Sequence, residues 1–157
     1  RHIKTGHANC LSTSFGEKMT ERKYLPTLSE LIDRLAITQL KEVFITDHRD
    51  EYADEIALIM HDIEMIAAGG QMVMNAEVIR AIVVLSQMNL HIWHNEANYR
   101  KGIKEGNDLE LTHGLNSIRN NAKNRIQSVM GGRKDYKLDN VKAFPTWVPS
   151  GYAAEDE

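Results

Sequence analysis

Apolar residues recur along this chain at alternating steps of three and four, the spacing that gathers them on one side of an α-helix. Leu28, Leu31, Ile32, Leu35, Leu40, Val43 and Phe44 make one such face, ending near Ile45. It opens on Thr27 followed three residues later by Glu30, the form of a capping box: the hydroxyl accepts from an early amide and the carboxylate reaches back. Tyr52, Ile56, Ile59, Ile63 and Ile66 define a second helix, with Thr46 and Asp47 as cap candidates and Gly69-Gly70 as its stop. The run from Val78 to Trp93 is apolar on nearly every face, so the third helix is expected to be central and buried. Asn75 can cap it, and a run to Lys101 would make a rod on the order of 40 Å at 1.5 Å per residue. Asn107 with Glu110 offers another capping box, ahead of a fourth helix carrying Leu111, Leu115, Ile118, Ala122, Ile126 and Val129 and closed by Gly131-Gly132.

Four helices with short connections, and no strand-like alternation, predict an all-α fold: an antiparallel four-helix bundle with a long central helix. Residues 133–157, through Pro145, Trp147 and Pro149, are expected to form an extended C-terminal tail with a solvated AAEDE end. Residues 1–18 are expected to be a poorly ordered or artificially appended extension, because Met19 opens a phrase that looks like a natural start; 19–132 would then be the bundle domain. The central helix is apolar even away from its main stripe, at Val83, Val84 and Leu90. Surplus apolar surface of that kind predicts a homodimer or higher symmetric oligomer through this helix.

Composition narrows the class. In 157 residues, 42% hydrophobic and 26% charged describe an ordinary folded domain rather than a disordered chain. The net charge of -3 supplies no global positive field, so nucleic acid is not a favoured partner. The apolar run at 78–93 is shorter than the roughly 20 residues a bilayer requires, so no membrane partner is expected. A single cysteine, Cys10, cannot form an internal disulfide, which agrees with a cytoplasmic setting.

Polar residues on apolar faces are the candidates for function. On the third helix, Val78, Ile82, Leu85, Asn89, Ile92, Glu96 and Tyr99 share a stripe, and an unpaired buried amide or carboxylate costs about 1–3 kcal/mol. Asn89 and Glu96, with Arg100 one turn on, are therefore expected either to form a buried polar network or to face a ligand. The fourth helix adds a ladder of Asn116, Arg119 and Lys123, followed by Arg133, Lys134 and Lys137, which could bind a phosphorylated small molecule or pin two helices.

Two acidic pairs offer a different chemistry. Glu30 with Asp33, and Glu51 with Asp54, are each three apart, so facing helices could present four carboxylates to Mg²⁺. The arrangement resembles the Glu-x-x-Glu then Glu-x-x-Asp pairs of MazG-like all-α nucleoside triphosphate pyrophosphohydrolases, with Asp33 in place of a glutamate. That resemblance implies magnesium as cofactor, held by Glu30, Asp33, Glu51 and Asp54, and hydrolysis of the α–β phosphate linkage. A solvated face, or the first turn of a helix, carries carboxylates at this spacing as well. His61 with Glu64, and His91 with His94, are i, i+3 pairs that could direct ligands to a transition metal. The doublet His61-Asp62 resembles that of an HD phosphohydrolase, but the upstream histidine would be His48, too close in sequence for that fold.

Whole phrases, LSELIDRLAITQLKEVF, NLHIWHNEANYR and LTHGLNSIRNNAKNRIQ, resemble small uncharacterised helical proteins of tailed, T4-like marine phages. The resemblance implies synthesis in an infected bacterial cytoplasm and supplies no activity. The leading expectation is thus a phage-type helical accessory or binding protein acting as a homo-oligomer, with the magnesium pyrophosphohydrolase and a metal-binding protein as alternatives. No catalytic residue is named by the sequence.

Overall fold

In the computed structural model the described residues are 24–70, 72–103, 109–131, 133–134 and 145–153. They form four helices: α1 (Leu28–Phe44), α2 (Arg49–Ala68), α3 (Ala76–Arg100) and α4 (Leu109–Met130), with a 3₁₀ turn at Thr46–His48 between the first two. No strand occurs among the described residues, so the chain is all-α there. The extension at 1–18, the Asn107 cap, Lys137 and the last four residues lie outside them.

The capping box at Thr27 is complete. Its backbone N–H donates to Glu30 Oε2 at 2.7 Å and its hydroxyl accepts from the Glu30 amide at 3.3 Å. Asn75 likewise accepts from the Val78 amide at 2.9 Å. The entry to α2 differs from expectation: Thr46 and Asp47 cap nothing and instead sit in the 3₁₀ turn, and His48 precedes α2 without a side-chain bond to it. A single tight turn reverses the chain there, which leaves no room for an extended cap residue. Gly131 closes α4 with φ +75°, a backbone state that other residues adopt only under strain.

α1, α3 and α4 surround the core. Leu28 and Ile32 from α1 meet Ala81, Val84, Leu85 and Met88 from α3 and Leu115, Ile118, Ala122 and Ile126 from α4. Each large side chain so buried contributes about 1.5–3 kcal/mol. At one end Asn95 of α3 donates to Thr112 of α4 at 2.6 Å, and at the other the Val73 amide lies on Met130 Sδ at 3.2 Å. α2 packs along α1 and along no other described helix. The link is strengthened by Arg34, whose Nη2 reaches Glu55 at 2.8 Å. Only Ile59 of α2 is buried, while Ile63 and Ile66 lean against the core edge. A cleft consequently separates α2 from α4.

In place of the extended tail that the sequence predicts for the C-terminal segment, residues 145–153 form a docked strap. Tyr152 is 1% exposed and closes the core, with the guanidinium of Arg125 4.1 Å and that of Arg80 5.2 Å from its ring centre. Arg80 also donates to the Ser150 carbonyl at 2.9 Å, Arg125 to the Gly151 carbonyl, and Trp147 packs against His91 at 4.6 Å.

Candidate functional site

The buried polar centre of the molecule is Asp33, 6% exposed, on α1. It follows Ser29 by one turn, so both side chains project from α1 toward α3 and α4 alongside the apolar Leu28 and Ile32. Arg119 of α4 grips the Asp33 carboxylate with both prongs, Nε to Oδ1 at 3.0 Å and Nη2 to Oδ2 at 2.5 Å. Asn89 of α3 donates to the same Oδ1 at 2.9 Å, and Lys123, one turn beyond Arg119, brings its ammonium to 3.6 Å from Oδ2. Asn116 holds the back of the guanidinium at 3.4 Å and donates to the Thr112 carbonyl at 3.0 Å. Three helices are therefore tied at one carboxylate, whose lone pairs are matched by charged and neutral donors.

Of the polar residues singled out by periodicity, Asn89, Asn116, Arg119 and Lys123 meet here. Glu96 and Arg100 do not; both are exposed. The buried side of α3 runs through Ala81, Val84, Met88 and Asn95, because α4 covers that line, and Asn95 takes the inward position next to Glu96. A one-residue step turns a side chain by about 100° on a helix, enough to exchange core for solvent.

The four carboxylates of the acidic pairs are not brought to one point. Glu30 is engaged in the capping box and Asp33 in the Arg119 grip, whereas Glu51 faces His48 at 2.5 Å and Asp54 is exposed. Among the described residues no group of three or more His, Cys, Asp or Glu is placed to hold a metal ion. The histidine pairs are parted as well: His91 lies on Trp147, His94 meets the edge of Phe44 with centroids 5.4 Å apart, and His61 pairs with Asp62 at 3.3 Å.

Around this centre lie three adjoining clefts. One of about 720 Å³ runs between α1 and α2 and is lined by Asp33, Thr38, Glu55 and Lys123 among others. A second, of about 540 Å³, lies between the start of α1 and the ends of α2 and α4; its walls are Leu25, Leu28, Leu31, Met65, Ile66 and Met130. A third, of about 310 Å³, has Lys123, Arg133 and Lys134 on its rim. Leu25, Thr27 and Gln127 line both of the last two, so these form one trough. Sequence periodicity had no means of finding the trough, since it follows from α2 leaning on α1 alone.

No protein-family model, no curated protein and no solved structure matches this chain. Its function must be read from its own geometry.

Proposed function

We propose that the chain is a phage-type, non-catalytic helical accessory protein, an antiparallel four-helix bundle that acts as a homo-oligomer joined through α3. The paired ends of α3 and α4, and of α1 and α2, support the antiparallel arrangement, and the three phage-like phrases support the setting. The observation that carries the oligomer is a second apolar stripe on α3. Ile79, Val83, Ser86, Leu90, Trp93 and Ala97 follow one another at steps of four, three, four, three and four, on the side turned away from Ala81, Leu85 and Met88. Val83 remains 52% exposed and Leu90 36%. A seven-residue repeat of this kind suits packing against a second helix, here α3 of another copy, and Ser86 and Ala97 are small enough for close approach. Val43 and Phe44 extend the patch, Phe44 stacking on Trp93 with centroids 5.9 Å apart.

Light scattering on the full chain, beside the Val83→Glu/Leu90→Glu variant, tests the reading. The wild type should have twice the 17.9 kDa chain mass or a higher multiple, and the variant the single mass. A wild type that stays monomeric at high concentration refutes the oligomer. Magnesium-dependent pyrophosphate release from nucleoside triphosphates, lost in Glu51→Gln, would refute the non-catalytic part.

A further inference from the structure

The trough between α1, α2 and α4 joins two unlike surfaces. One part is mostly apolar, walled by leucine, isoleucine and methionine together with His61 and Asp62; the other has Lys123, Arg133 and Lys134 against the carboxylate of Glu30. Between them stands Gln127, 4% exposed, whose carboxamide oxygen accepts from Ser29 at 2.6 Å while its nitrogen has no hydrogen-bond partner among the described residues. Its N–H₂, at the junction of an apolar surface and a cationic rim, can donate to an acceptor that enters the trough. Cavities of this size and mixed lining are the ordinary form of a small-molecule site.

We infer that this trough binds a single-chain amphiphilic anion, with its hydrocarbon chain against Leu28, Leu31, Met65 and Met130 and its carboxylate or phosphate head at Gln127, Lys123, Arg133 and Lys134. The apolar wall excludes a free nucleotide or inorganic ion as the preferred occupant, and the three cations disfavour a neutral lipid. The inference rests on the reading of the chain as a binding protein and names the ligand of that protein; it does not depend on the α3 contact.

The test uses the full chain with ¹³C-methyl methionine. Decanoate and decyl phosphate are titrated below micelle formation, with 1-decanol and inorganic phosphate beside them. Met65 and Met130 should shift saturably with the two anions, while Met60, which lines neither part of the trough, and Met88, in the core, hold still. Arg133→Glu/Lys134→Glu, both exposed positions, should weaken binding at least tenfold, and 1-decanol should bind at least tenfold less tightly than decanoate. The tighter of the two anions identifies the head as carboxylate or phosphate. Equal affinity for 1-decanol and decanoate, undiminished binding by the charge-reversed variant, or non-saturating shifts spread over all four methionines would overturn the inference. The wild type's mass separates the two ideas: wild-type binding without dimerisation defeats only the oligomer, and a wild-type dimer without saturable binding defeats only the ligand, while the Val83→Glu/Leu90→Glu protein should bind as a monomer.

Discussion

Replacing Asp33 by alanine measures what holds the three core helices in register. The carboxylate is buried, and Arg119 and Lys123 point at it from α4 with side-chain exposures of 22% and 19%. Removing the acid leaves two cations and the Asn89 amide facing a void. Breaking a buried ion pair from one side costs about 3–5 kcal/mol, most of it the penalty of the charge left behind. Because Arg119 and Lys123 retain some access to the neighbouring cleft, the lower end applies, about 3 kcal/mol. In a domain of this size that lowers the melting temperature by roughly 6–12 °C. Urea unfolding followed by far-ultraviolet circular dichroism reads the loss as a lower midpoint at unchanged slope. The companion variant Asp33→Leu/Arg119→Met removes both partners and should recover most of the stability, since apolar replacement of a buried pair is often neutral or better. A loss below about 1 kcal/mol in Asp33→Ala would refute the view that this carboxylate is the structural tie.

Two further substitutions check the ends of the fold. Thr27→Ala removes one half of the capping box and should cost about 1 kcal/mol, read by the same unfolding curves; no change would mean that Glu30 alone secures the start of α1. Tyr152→Phe deletes a buried hydroxyl that has no hydrogen-bond partner among the described residues and should leave stability unchanged or raise it by up to about 1 kcal/mol. A clear loss would show that the hydroxyl is bonded in solution.

The four helices were legible because their apolar residues repeat at helical spacing and their caps are local: Thr27 with Glu30, and Asn75 before Val78, are decided within one turn of chain. The polar centre was legible only in part. Asn89, Asn116, Arg119 and Lys123 stand out as polar residues on apolar helices, but the three-residue spacing of Asp33 from Glu30 equally fits a metal-binding pair. The position of Asp33 one turn after Ser29, beside Leu28 and Ile32, was the signal that it faces the core; spacing alone did not say which cation would answer it. Glu96 and Asn95 are neighbours, and the choice between them was made by where α4 lies, which no periodicity within α3 contains. The strap was hidden for the same reason. Nothing local to Tyr152 reveals that Arg80 and Arg125, from two distant helices, converge on its ring.

The polar centre and the trough share Lys123, so the two parts of the molecule are coupled. Asp33 carries one negative charge against the two positive charges of Arg119 and Lys123, and Lys123 also stands on the rim of the trough. Neutralising the carboxylate while keeping its shape, as Asp33→Asn does, releases Lys123 from its 3.6 Å partner and removes an anion that opposes an acidic head group. Loss of one nearby like charge in partly screened surroundings is worth about 1 kcal/mol, on the order of a fivefold gain in affinity. The same variant should be less stable, because the charge-assisted grip of Arg119 becomes a neutral one. Tighter binding of decanoate by a less stable protein is the pattern expected of a site that borrows a structural cation. If Asp33→Asn instead lowered both stability and affinity, Lys123 would be serving the core alone, and the head group would have to rest on Arg133, Lys134 and Gln127.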